Sequence, residues 1–122
     1  MKMLFAMSPT ILLVVYGQLV TKWRIGLLSD AMPGSPDHLA RLFIYLKDPY
    51  ILSSYAAALA GSVAWMFVVE RYSISIAFPI YVGITVFAVA IGGCLLFDEP
   101  LTSSRLVAIL LIVAGVTIGS RS

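Results

Sequence analysis

Charge is scarce in this chain. Of its 122 residues only 11% are charged, less than half of the roughly 25% usual in soluble domains. Hydrophobic residues make up 61%. A soluble domain of this length buries too little of its surface to hide so much apolar area, so the bilayer is the expected solvent. Cysteine is nearly absent. Cys94 stands alone in an apolar run, which excludes a disulfide framework and a cysteine-rich metal site. The single histidine, His38, has no ligand-spaced companion. No nucleophile–base constellation, phosphate loop or cofactor fingerprint occurs. The sequence therefore predicts neither an enzyme nor a bound cofactor or metal. The net charge of +2 is spread between apolar runs, so nucleic acid is not an expected partner.

What the chain does have is four long apolar segments, 3–22, 50–69, 74–97 and 101–120. Each approaches the 20 or so residues a spanning helix needs. Helices are the expected form because hydrocarbon offers backbone groups no partner. Trp23, Tyr50, Tyr72 and Phe97 lie at segment ends, where aromatic rings suit the membrane–water boundary. Met1-Lys2 followed by apolar residues imitates a signal peptide. No small-residue cleavage pattern follows it, so the segment is expected to stay as the first helix. The expectation is one all-α domain over 1–122, with four transmembrane helices.

The connections differ in length. A tight turn at Glu70-Arg71-Tyr72-Ser73 makes segments two and three an antiparallel hairpin. Asp98-Glu99-Pro100 joins segments three and four, with Thr102 or Ser103 placed to cap the last helix. The first connection is long and carries "SDAMPGSPDH" and "HLARLFIYLKD". Leu39, Leu42, Phe43 and Leu46 recur at helical spacing, Asp37 or Ser35 would cap them, and Pro49 would stop them. This predicts a short amphipathic helix on the membrane surface over about 36–48. Five basic residues (Lys22, Arg24, Arg41, Lys47, Arg105) fall on the side of this connection and three (Lys2, Arg71, Arg121) on the other. The bias mildly favours a cytoplasmic first connection, and is weak enough to allow an antiparallel dimer.

Small residues mark where helices can approach one another in lipid. Segment two carries Ser54, Ala58 and Ser62 at four-residue spacing, with Ala57 and Gly61 beside them. Segment four carries Gly115 and Gly119, with Ala108 a heptad earlier. Either strip serves packing within one chain, or Ala108, Gly115 and Gly119 form a dimer seam. Segment three carries Pro79, Gly83, Gly92 and Gly93, positions for a hinge or for close packing.

"GQLVTK", "ISIAFPIYVGI" and "DEPLTSSRLVAILLIVAGV", in this order, resemble the drug/metabolite transporter superfamily, in particular its small, EamA-like four-helix members. In the small multidrug resistance branch, one glutamate midway along the first helix exchanges protons for cationic drugs. Val14 occupies that position here, and no acidic residue lies between Met1 and Ser29. The other branch resembles the paired small subunits that flip aminoarabinose-phosphoundecaprenol across the bacterial inner membrane. Gly17, Gln18, Lys22, Ala77, Phe78 and Pro79 match its pattern. That resemblance implies a multi-pass inner-membrane flippase for a polyprenyl-phosphate-linked sugar or similar anionic lipid-linked substrate. It would act among membrane lipids as a homodimer or as a heterodimer with a similar small subunit. The long first connection departs from the pattern.

Gln18 and Lys22 share a helix face. Lys22 is either an interfacial anchor with Trp23 and Arg24, or the group that attracts a lipid phosphate while Gln18 hydrogen-bonds the head group. Arg24 points away from Lys22 and would meet bulk lipid. Tyr16, Tyr81, Ser54, Ser62 and Thr85 are the expected polar wall. Two other functions stay open: a proton-coupled exporter of small cations using Glu70 or a partner's carboxylate, and a non-transporting accessory subunit of a membrane glycosyltransferase complex.

Overall fold

A computed structural model describes residues 2–32, 34 and 37–121 of the chain, and five helices account for nearly all of them: α1 Lys2–Ala31, α2 His38–Lys47, α3 Pro49–Arg71, α4 Ile74–Phe97 and α5 Ser103–Ser120. α1, α3 and α4 are long and apolar enough to cross a membrane. α5, at 18 residues, rises about 27 Å, slightly short of a hydrocarbon core of about 30 Å. Large side chains such as Phe5, Leu59, Leu95 and Leu111 stay on the outside, as expected where lipid replaces water.

The largest departure from expectation is α1. It does not end at Lys22 but continues to Ala31, because no glycine–proline stop occurs until the "MPGSP" stretch. Nor does Pro9 break it. Proline lacks the N–H that would bond the carbonyl four residues back, here that of Phe5. The Ser8 hydroxyl donates to the Phe5 carbonyl at 2.8 Å and fills the gap. α2 starts where expected. Asp37 caps it by accepting from the Ala40 N–H at 2.9 Å, while Ser35, the alternative cap, lies outside the described residues. No residue of α2 is buried within the chain, and Leu42, Phe43 and Leu46 are exposed. Thr102 is the cap of α5 and accepts from the Arg105 N–H.

The helices form a row in which α1 lies between α3 and α4, and α5 packs on α4. Although α3 and α4 are joined by a tight turn, they touch little, so the expected hairpin exists as a connection and not as a packed pair. Small residues explain the insertion of α1. A Cβ on Gly17 would stand 3.2 Å from the Ser54 carbonyl oxygen, and one on Gly92 would stand 2.9 Å from a Leu19 methyl group. One heptad before Gly17, Thr10 donates its hydroxyl to the Gly61 carbonyl at 3.1 Å. Ser54, Ala57 and Gly61 are therefore the buried strip of α3, with Ile51 and Val68 at its ends, while Ala58 and Ser62 face outward. Met7, Val68, Ala77 and Ile80 form a buried cluster at the opposite end of the bundle from α2, with Trp65, Tyr72 and Tyr81 around it.

Candidate functional site

A cleft of about 660 Å³ opens between α1, α4 and α5 toward the end of the bundle that carries α2. Its floor is mostly aliphatic, supplied by Leu19, Val86, Val89 and Ile109. The polar groups are few and come from three helices: Gln18 and Lys22 from α1, Thr85 from α4, Arg105 from α5, and Glu99 from the α4–α5 corner. Gln18 and Lys22 are both exposed and lie on one face of α1. Thr85 Oγ1 is buried and makes no hydrogen bond of good geometry among the described residues.

Glu99 reaches the cleft through a specific backbone device. Asp98 ends α4 in the left-handed region, at φ 52° and ψ 33°, with its N–H on the Gly93 carbonyl. The Glu99 N–H points to the same oxygen at 3.5 Å. This reversal lays the Glu99 carboxylate over Gly93, one oxygen only 3.0 Å from where a Cβ would stand. Any larger residue at 93 would displace it. Arg105 is steadied by donating to the Pro100 carbonyl at 3.1 Å. In the sequence Glu99 reads only as part of the connection between segments three and four. The signal available was the Gly92-Gly93 pair six residues earlier, which leaves a bare helix surface for a side chain returning from the corner.

The other expected wall residues are elsewhere. The Tyr16 hydroxyl donates to Ser53 Oγ at 2.9 Å, since the Ser53 proton is already given to the Tyr50 carbonyl at 2.6 Å. Ser54 is buried against Gly17 and donates to the Tyr50 carbonyl. Ser62 is exposed and bonds the Ala58 carbonyl of its own helix. The Tyr81 ring lies 4.8 Å from the Trp65 ring in the opposite half of the bundle. Of the glycines, Gly93 lines the cleft and Gly92 packs on Leu19 behind it, whereas Gly83 packs on Val116 and Ile112 of α5. Pro79 is exposed on α4. Ala108 lines the cleft, while Gly115 and Gly119 have nothing within 4 Å of a would-be Cβ. Glu70 is exposed at the end of α3, at the far side from Lys22. Cys94, the one cysteine, lines the cleft too.

Arg24 does not face bulk lipid. Its Nη2 donates to Asp48 Oδ1 at 2.7 Å and its Nε to Oδ2 at 3.1 Å. It also lies over the rings of Trp23 and Tyr50, at 5.1 and 4.7 Å. Asp48 further accepts from the Ile51 N–H and so caps α3. The guanidinium hydrogen bonds hold the Asp48 carboxyl below the usual carboxylate range, partly opposed by burial. Among the described residues this is the one ion pair, which leaves Lys22, Arg105 and Glu99 without a salt-bridge partner and free to face a ligand. Among those residues no group of three or more His, Cys, Asp or Glu side chains is placed to hold a metal.

Three helices long and apolar enough to cross a membrane, beside a cleft that carries a few charged and polar groups, describe a multi-pass membrane protein. The chain is 26% identical over 110 residues to the "Probable 4-amino-4-deoxy-L-arabinose-phosphoundecaprenol flippase subunit ArnE" of Pseudomonas syringae pv. syringae (strain B728a), an alignment covering 90% of this chain and 93% of that protein. The likeness to that subunit is distant; it supports a small drug/metabolite transporter-like protein and points to a transporter and not an enzyme. No protein-family model matches the chain, and no solved structure matches it.

Proposed function

We propose that this protein flips a polyprenyl-phosphate-linked sugar, or a similar anionic lipid-linked group, across the bacterial inner membrane. The observation that carries the reading is the convergence of Lys22, Gln18 and Arg105 in one cleft open between α1, α4 and α5. The task is to lower the cost of moving a phosphate and a sugar through hydrocarbon, and no covalent step is needed. Lys22 and Arg105 supply charge for the phosphate. Gln18 offers hydrogen bonds that replace water along the wall. The isoprenoid tail stays in lipid outside the cleft. α5 completes a four-span bundle, and α2 lies on the membrane surface with its leucines in the head-group layer. The cleft lies between α1 and α5, which among the described residues do not pack on each other, and a second small subunit, identical or similar, would seat on α5 along Ala108, Gly115 and Gly119.

Purified protein in proteoliposomes tests this reading. A fluorescent polyprenyl-phosphate sugar should cross without a pH gradient, and the same substrate should protect Cys94 from a maleimide reagent. Wild-type protein that moves no such lipid and shows no protection would defeat it.

Glu99 favours a second reading. A carboxylate in the cleft beside the transport face is the kind of group that binds a proton and a small cation in turn, a role for which Glu70 is badly placed. Gradient-driven cation uptake that is abolished by Glu99→Gln would establish it in place of the first. An inactive protein that co-purifies with a membrane glycosyltransferase would favour the accessory role.

A further inference from the structure

A second cleft, of about 1020 Å³, lies at the opposite end of the molecule, where the start of α1 meets the end of α3. It shares no lining residue with the Lys22 cleft and has no part in the proposed transport. Its lining is divided. Lys2, Arg71 and Tyr72 provide polar groups at the helix ends, while Leu4, Phe5 and Phe67 run down the outer surface of the bundle. Phe5 and Phe67 are 82% and 65% exposed, so this flank faces lipid. Among the described residues no carboxylate lines the cleft. The adjacent Glu70 makes no ion pair with either cation, since among the described residues the one ion pair is Arg24–Asp48.

We propose that this cleft binds the phosphodiester head group of an anionic phospholipid, with the acyl chains along Phe5 and Phe67. Three features point to that ligand. Two unpaired cations on different helices converge on one cavity, and Arg71 can grip a phosphate in a bidentate manner while Lys2 adds a point charge. The cations lie at the level of the helix ends, where head groups sit, and the apolar flank continues from them into the hydrocarbon, so the cleft matches an amphiphile more closely than a free anion. The floor is packed: Val68 is buried in the same cluster as Met7, Ala77 and Ile80. A lipid bound here would tie α1 to α3 at an end where no side-chain hydrogen bond between them is found among the described residues.

Native mass spectrometry of the full-length protein, titrated with short-chain phosphatidylglycerol or phosphatidylcholine, tests the proposal. Wild-type protein should retain phosphatidylglycerol in preference to phosphatidylcholine. With about one interaction of 1 kcal/mol lost per cation, the Lys2→Gln, Arg71→Gln double variant should bind phosphatidylglycerol about thirty-fold more weakly. Lys2→Arg with Arg71→Lys should keep the binding, which separates charge from folding, and Arg121→Gln should leave it unchanged. Lys22→Ala should also leave it unchanged, so the transport reading can fail without touching this one. Wild-type affinity in the double variant, or an equal loss in Arg121→Gln, would overturn the proposal. Competition by inorganic phosphate at the same concentrations as phosphatidylglycerol would assign the site to free phosphate and overturn the lipid.

Discussion

Arg24 and Asp48 meet in a two-bonded ion pair, 2.7 and 3.1 Å, that joins α1 to the first turn of α3. The pair continues a seam. Thr10 meets Gly61, Gly17 meets Ser54 a heptad later, and Arg24 meets Asp48 a heptad after that. The antiparallel pair α1–α3 is thus fastened by a hydroxyl, a bare backbone contact and an ion pair in succession. Asp48→Ala removes both the ion pair and the cap and should lower the thermal midpoint in detergent by roughly 5 °C or more. Asp48→Asn keeps a capping oxygen and should cost less. Circular-dichroism melts of the two variants would order them.

The same pair gives a pH signature. Asp48 titrates lower in the folded chain than in the unfolded one, so its contribution is complete above the ordinary carboxylate value of about 3.9. It is lost as pH falls below that value and through the lower folded one. Melting curves should be insensitive to Asp48 from pH 7 to 5, and should lose stability below pH 4 in wild-type protein. The Asp48→Asn variant should lack that component.

Thr10→Val tests the end of the seam opposite Arg24 without altering its shape. The Thr10 hydroxyl is buried and bonds the Gly61 carbonyl. Interhelical hydrogen bonds in membrane proteins average about 0.6 kcal/mol, and a loss of that order should appear in an unfolding titration in mixed micelles.

The glycines should separate by environment. Gly83→Ala would drive a methyl into Val116, a β-branched side chain with one comfortable rotamer in a helix, and should lower the melting midpoint. Gly115→Ala meets nothing within 4 Å and should melt like wild type. If α5 is the seam between two subunits, Gly115→Leu should weaken cross-linking between copies while leaving the single chain folded.

Within the cleft, Lys22→Ala should slow flipping by roughly tenfold or more, the worth of one charged hydrogen bond to a phosphate. Lys47→Ala, at the exposed end of α2, should have no effect. Arg24→Ala is unsuitable as the control, because it breaks the Asp48 pair. Under the lipid reading Glu99→Gln should retain activity in proteoliposomes without a gradient.

Much of the fold was legible because its signals are local. The bounds of α4 follow from its uninterrupted apolar run, and Asp37 and Thr102 sit where capping residues belong. Lys22 and Gln18 share a cleft because four residues make one turn. What was hidden depended on distant partners or on backbone reversal. Trp23 and Arg24 looked like a helix end because a cation beside an aromatic suits the interface, and nothing nearby announces Asp48, 24 residues on. The Asp48-Pro49 pair is itself a helix-start signal, outweighed by reading Pro49 as a stop. Nothing local to Glu99 marks it, since only the left-handed Asp98 turns it inward. Tyr16, Ser54 and Ser62 lie away from the cleft because α1 sits between α3 and α4, an ordering that depends on which glycines meet, and Tyr81 because it lies in the opposite half of α4.

The unequal lengths of α1 and α5 carry a consequence for the surrounding lipid. A 30-residue rod of about 45 Å stands in the same bundle as an 18-residue one of about 27 Å. With α5 as the fourth span, as proposed, acyl chains beside the short rod would have to shorten or splay to meet it, at a fraction of a kcal/mol per ångström. The oily layer would then be thinnest along the flank of the Lys22 cleft, and under the proposed transport a head group crossing there would face its shortest dry passage.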